Sequence, residues 1–213
     1  MSYFVELDLK QYNFQADLDW MFEDGKIWWT MDQICINAPA RTVLHSDRAK
    51  LRAPDPEHHM DFAFGVGSLT VDWRQVSTTP VKDKGGYEMV DKLSAPPRVP
   101  PLKEEEFDTL CSVFRGTDFE LAYNELNERY NLGRVRLMMM QPRRCLSWHY
   151  DYENRIHYPI KTQKGNFMVI EEEVKHLEQD QWYLTKTGYN NHTAFNGSSE
   201  SRTHLVANLL GEK

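Results

Sequence analysis

The 213-residue sequence predicts a mainly β domain with flanking helices, built as a sandwich, barrel or jelly roll. Two observations carry that expectation. From Arg134 onward the chain breaks into short strand-like runs separated by turn residues, the pattern of closed antiparallel folds. The composition agrees, because 6 Trp, 10 Tyr and 10 Phe supply the bulky side chains that strands accommodate best.

The N-terminal part, residues 1–101, reads as strands and loops, with strand-like pieces at 27–31, 33–37 and 68–73. It closes on Pro96, Pro97, Pro100 and Pro101, an extended connector that no helix can cross. Residues 102–133 read as helical. Phe107, Leu110, Cys111 and Phe114 recur at i, i+3, i+4 and i+7, which predicts one helix. The acidic run Glu104–Glu106 would be its solvated first turn. Thr117 and Glu120 form a capping-box pattern for a second helix, with Phe119, Ala122, Tyr123, Leu126 and Tyr130 as its apolar stripe. Asn131–Gly133 would end it. Strands are then expected at 135–140, 155–160, 166–170, 181–185, 192–196 and 202–209, so residues 134–210 form the functional core of a single domain.

A net charge of −7 disfavours a generic nucleic-acid binder. The N-terminus has no secretory h-region and no apolar run is long enough for a membrane span, so a cytoplasmic protein without a membrane partner is expected. Three isolated cysteines without a CxxC read as reduced thiols. Several other features receive bland readings: His58-His59 as a solvated turn, the GxG at 65–67 as no nucleotide signature, Gly85-Gly86 as a loop, and Glu171–Glu173 as a solvated edge.

The chemistry concentrates in the C-terminal core. His149 and Asp151 stand at i and i+2, the spacing that puts both side chains on one face of a strand. His192 is the best third ligand. Two histidines and a carboxylate are the set that holds Fe(II) with coordination positions left open. An H-x-D alone is a weak signal, but its neighbours strengthen it. Arg155 with His157, and Arg202 with His204, place an arginine and a histidine on one face of two further strands. A hairpin through 197–201 would lay the Arg202 strand beside the His192 strand. Arginine's planar fork suits a carboxylate, so inward arginines near a metal point to a dicarboxylate such as 2-oxoglutarate.

The ordered stretches His149-Tyr150-Asp151, Arg155–Ile160, Asn166-Phe167, His192–Asn196 and Arg202–Val206 resemble the aspartyl/asparaginyl β-hydroxylase family over about residues 134–210. The resemblance implies a double-stranded β-helix, a cupin-like jelly roll, and an Fe(II)- and 2-oxoglutarate-dependent dioxygenase. Such an enzyme consumes O2, hydroxylates an unactivated C–H bond of a peptide side chain, free amino acid or other small molecule, and releases succinate and CO2. It implies His149, Asp151 and His192 as iron ligands, Arg202 as anchor of the distal 2-oxoglutarate carboxylate, and Arg155, His157 and His204 as further co-substrate contacts. Trp148, Tyr150 and Asn196 are the expected substrate-pocket residues. In this chain the strand before the metal motif, Leu137–Gln141, lacks the hydroxyl that often contacts 2-oxoglutarate. The competing reading is a cupin-type metalloprotein that does not use 2-oxoglutarate: another dioxygenase, an isomerase or a ligand-sensing module.

Overall fold

The computed structural model describes residues 2–24, 33–38 and 103–213. The proline connector, the expected strands at 27–31 and 68–73, His58-His59, the GxG and Gly85-Gly86 lie outside the described residues.

Eight strands form the core: β5 (Tyr130–Met140), β6 (Arg144–Cys145), β7 (Asn154–Lys161), β8 (Asn166–Ile170), β9 (Glu173–Lys175), β10 (Trp182–Thr185), β11 (His192–Asn196) and β12 (Arg202–Glu212). Two more, β1 (Phe4–Leu7) and β2 (Gln33–Cys35), extend one sheet. The sheet orders are β1-β10-β7-β12-β5-β2 and β6-β11-β8-β9, with all ladders antiparallel. Apart from the β8–β9 hairpin, successive strands of the core alternate between the sheets in the order of a double-stranded β-helix, so the fold is a cupin-like jelly roll.

The period-2 pattern decides what each face of the large sheet meets. Ile34, Val135, Leu137, Ile156, Tyr158, Ile160, Trp182, Leu205, Ala207 and Leu209 point outward into one apolar core. Two helices cover it: α1 (Phe14–Glu23) through Phe14, Leu18 and Met21, and α2 (Asp118–Arg129) through Phe119, Ala122, Tyr123 and Leu126. Phe14 is the keystone, stacked on Phe119 at 4.6 Å and edge-on to Tyr158 at 5.0 Å. The alternate residues face the interior between the sheets, where Phe4, Met168, Ile170, Leu177, Tyr183 and Ala194 make a smaller cluster.

Several sequence expectations are corrected. α1 stands where strands and loops were expected; its apolar residues at i, i+4 and i+7 are a helical signal. The expected helix over 107–114 does not form. The chain makes a 3-10 turn at Glu104–Glu106, a short strand β4 (Thr109–Leu110) and a second 3-10 turn at Ser112–Phe114. Phe107, Leu110, Cys111 and Phe114 are all buried as the periodicity implied. The backbone, however, is recruited by β3 (Asn37–Ala38), and Cys111 N–H donates to Ile36 O at 2.9 Å. Buried Asn37 locks this corner, donating to Phe107 O (2.5 Å) and Gly133 O (2.9 Å) and accepting from Val135 N–H (2.7 Å).

Glu104 is not solvated: it pairs with Arg134 and accepts that residue's backbone N–H. A Cβ on Gly133 would lie 2.7 Å from Glu104 Oε2, so glycine here admits that carboxylate, and Asn131–Gly133 belong to β5 instead of a helix end. At the start of α2, Thr117 accepts from Phe119 N–H as an N-cap, while Glu120 reaches back to Gly116 N–H, not to Thr117. Finally, β12 does not form a hairpin with β11. The polar loop carries the chain to the other sheet, where β12 pairs with β5 and β7.

Candidate metal centre

After β6 the chain stays beside β11. Leu146 N–H donates to Ala194 O at 2.9 Å, and His149 and His192 exchange backbone hydrogen bonds of 3.1 and 2.6 Å. His149 and Asp151 therefore sit in an irregular segment of isolated bridges, not the continuous strand expected from their spacing. Asp151 is fixed one bridge further on, where Tyr189 N–H donates to its carbonyl at 2.7 Å. Tyr189 is held at φ 59°, a left-handed conformation that costs a non-glycine residue energy and is tolerated where the surroundings impose it.

This arrangement brings one ligand atom each of His149, Asp151 and His192 within 4.8 Å of one another. Both imidazoles are oriented alike. Nδ1 of His149 lies 2.6 Å from Ser147 O, and Nδ1 of His192 lies 3.0 Å from Asn190 O. A carbonyl only accepts, so Nδ1 of each ring is the donor and Nε2 is the atom left to face a ligand, the orientation of a metal-binding histidine. Nε2 of His192 approaches Asp151 Oδ2 to 3.1 Å, and that buried oxygen has no hydrogen-bond partner. Arg155 Nη2 contacts the other oxygen, Oδ1, at 2.6 Å. Burial pushes the Asp151 carboxyl up, but the nearby His192 and the Arg155 guanidinium outweigh it and hold the group below the usual carboxylate range. The ligand is thus ionised at neutral pH. Two imidazole nitrogens and one carboxylate oxygen, converging within 4.8 Å, fit a divalent transition metal such as Fe(II).

The centre opens on a cleft of about 510 Å³. His192, Arg155, His157 and Arg202 line it, with Met138, Met140, Met168, Ala194 and Val206 as apolar wall. Arg202 is 7 % exposed, and burial lowers its guanidinium to about 10. No carboxylate pairs with it among the described residues. His157 and His204 are buried with both ring nitrogens unpartnered and their rings 5.8 Å apart. Burial, reinforced by the neighbouring arginines, holds both well below the ordinary histidine range. His204 faces a small void beside Arg202, outside the main cleft.

The remaining expected pocket residues stand apart from the cleft. Trp148 and Tyr150 are 53 % and 52 % exposed and do not line it. Asn196 is buried, its amide donating to Met140 O and Glu200 O while its carbonyl accepts from Ser198, so it braces the β11–β12 turn. The methionines were missed as cleft wall because a Met run has no polar signature. Arg136 was missed too. It is buried, donates to Asn208 Oδ1 at 3.0 Å, and is lowered to about 10 by burial and by repulsion from Arg155 and Arg134. Its inward position follows from the same strand alternation that places Met138.

Three comparisons bear on the chain. No curated protein matches it. Among solved structures, an oxidoreductase of the 2OG-Fe(II) oxygenase family from Burkholderia pseudomallei matches at TM-score 0.34 and 17 % identity, over 38 % of this chain and 44 % of that one. AerE from Microcystis aeruginosa matches at TM-score 0.33 and 17 % identity, over 36 % and 35 %. The chain thus spans less than half the length of either. A cupin domain from Bordetella pertussis Tohama I matches at TM-score 0.32 and 19 % identity, over 39 % and 83 %. The sequence model described as Aspartyl/Asparaginyl beta-hydroxylase matches residues 105–210, the stretch that holds the metal cluster and both arginine–histidine pairs. Over residues 105–210 the chain is thus similar to the aspartyl/asparaginyl β-hydroxylase family.

Proposed function

We propose that this chain is an Fe(II)- and 2-oxoglutarate-dependent dioxygenase that hydroxylates a peptide side chain, a free amino acid or another small molecule. The observation that carries this reading is one cleft with two complementary ends. At one end His192 lines the cleft and converges with His149 and Asp151 behind it. At the other, buried Arg202 has no anionic partner among the described residues. An unpaired buried cation is costly, and a carboxylate ligand removes that cost.

When bound, Fe(II) together with 2-oxoglutarate and O2 supplies the oxidation of an unactivated C–H bond, with succinate and CO2 released. The protein's part is to bind, orient and exclude water. His149 and His192 present Nε2 because Ser147 O and Asn190 O hold their opposite nitrogens. Asp151 adds the negative charge. Arg202 takes the distal carboxylate of 2-oxoglutarate, and His157 lines the cleft between the two ends. Met138, Met140, Met168 and Ala194 keep the cleft wall apolar, which strengthens each charge–charge contact inside it.

Anaerobic loading of the full chain with Fe(II) and 2-oxoglutarate, followed by oxygen, should yield succinate. Failure of the metal-loaded protein to bind 2-oxoglutarate by calorimetry would overturn the reading in favour of a cupin-type metalloprotein without that co-substrate. His149→Ala and His192→Ala should each abolish stoichiometric iron binding; iron retained in either moves the centre elsewhere.

A further inference from the structure

Each histidine of the cluster has its second nitrogen held by a backbone carbonyl, so one atom alone is left to bind. Asp151 has no such carbonyl. Its second atom is held by a side chain, Arg155 Nη2 at 2.6 Å from Oδ1, while Oδ2 faces His192 Nε2 at 3.1 Å without a hydrogen bond. We infer that Arg155 is a positioning residue for the metal's carboxylate ligand: it pins Oδ1 of Asp151 so that Oδ2 alone is presented to the ion. The inference rests on the metal centre of the proposed function and not on its co-substrate.

The pin is rigidly mounted. Arg155 projects inward from β7, between Thr185 of β10 and Asn208 of β12 in the ladder, and Thr185 Oγ1 donates to its carbonyl at 3.0 Å. The side chains of Arg155 and Asp151 are each only 16 % exposed, so solvent screening is weak. The charge order leaves Arg155 one counter-ion. Glu104 is taken by Arg134, and Arg136 is held by Asn208, so Asp151 is the only carboxylate in ion-pair contact with Arg155 among the described residues. An unpinned carboxylate can rotate and offer either or both oxygens. A pinned one offers a single oxygen in a fixed direction, which leaves more of the ion's coordination positions for other ligands.

The test reads metal binding, not turnover. Co(II) serves as probe on the full chain, without 2-oxoglutarate, by calorimetric titration and by its visible ligand-field spectrum. Removing a positive charge this close to a cation would by Coulomb's law tighten binding. Loss of the pin acts in the opposite direction, so the sign decides. Arg155→Ala is expected to weaken Co(II) binding by roughly 10–100-fold, the usual effect of losing a partner of a metal ligand, and to shift the ligand-field bands. Arg155→Lys, which keeps the charge and one donor, should recover part of both. If Arg155→Ala does not fold by circular dichroism, Arg155→Lys alone carries the test through an intermediate affinity and a shifted spectrum. In an Asp151→Ala background, Arg155→Ala should cause no further weakening. Unchanged or tighter Co(II) binding in the single variants, or an equal loss in the Asp151→Ala background, would overturn the inference. A wild-type protein that takes no Co(II) removes the metal centre itself. One that takes Co(II) but not 2-oxoglutarate sinks the proposed co-substrate and leaves this comparison standing.

Discussion

The two faces of the six-stranded sheet differ in what they are built to do. The outer face carries Ile156, Tyr158, Leu205 and Ala207 into a dry core with α1 and α2. The inner face, one residue out of step on the same strands, carries Arg136, Arg155, His157, Arg202 and His204. Those side chains are buried, Arg155 partly so, but incompletely satisfied: Nε of Arg136 and Arg155 and all four ring nitrogens of His157 and His204 lack partners. A folded chain that leaves so much polar capacity open on one face stores stability on the other. The outer face holds the domain together, and the inner face carries the open polar capacity that the proposed function would use.

Substitutions can break this division. The largest stability loss belongs to the outer face. Phe119, fully buried between Phe14 and Phe114, should cost about 3–5 kcal/mol when replaced by alanine, with Co(II) affinity intact in the folded fraction. Chemical denaturation and calorimetry together check both halves of that statement. Arg202→Leu should do the reverse. It removes an unpaired buried cation, so unfolding of the metal-free chain should need equal or more denaturant, while 2-oxoglutarate binding weakens by roughly 2–5 kcal/mol. A destabilised variant with wild-type affinity would refute the assignment of Arg202 to the ligand.

The third outcome concerns pH. His157 faces Arg155, Arg202, His192 and Arg136; His204 faces Arg202, His157 and His176. Both stay neutral in the folded state well below the ordinary histidine pKa, so the unfolded chain binds the extra protons first. Stability contributed by keeping them neutral is therefore complete above the unfolded value near 6.5 and is lost as pH falls below it. The slope approaches about 2.7 kcal/mol per pH unit for two such groups. Denaturation midpoints between pH 7 and 5 measure it, and His204→Leu should halve the slope. Asp151, with its lowered pKa, adds a separate loss only in the acid range below its unfolded value of about 3.8. The smallest effect belongs to the covering layer: Thr117→Ala removes the N-cap of α2 and should cost about 1 kcal/mol, with no change at the metal centre. A drop in metal affinity there would show that the two faces are coupled.

Sequence reading located the strands of the core well, because their alternation and turn residues are local. β8 and β11 match their expected bounds, and β5, β7 and β12 extend beyond theirs. It failed where a short segment's conformation depended on a remote partner. The apolar positions of 107–114 were legible as buried, but whether they reached the core on a helix or on 3-10 turns depended on β3. Helix α1 lay in a part read as strands and loops, although Phe14, Leu18 and Met21 carried its period. In the site, the ligand types and their spacing were legible. The pairing of β12 with β5 and β7 was not, because a polar loop after β11 serves a hairpin or a change of sheet equally well.

The residues by themselves determined the two periods, the acidic balance and a His/Asp/His set with arginines on following strands. These are properties of side chains and their spacing, and no distant contact alters them. Only the tertiary structure decided that the candidate metal ligands sit on a broken segment bridged to β11, that Arg155 is engaged by Asp151 while Arg202 has no ion-pair partner among the described residues, and that Asn196 braces a turn. The reason is that an ion pair or an orphaned charge depends on which side chains share a buried space, and that is fixed by how two sheets close on each other.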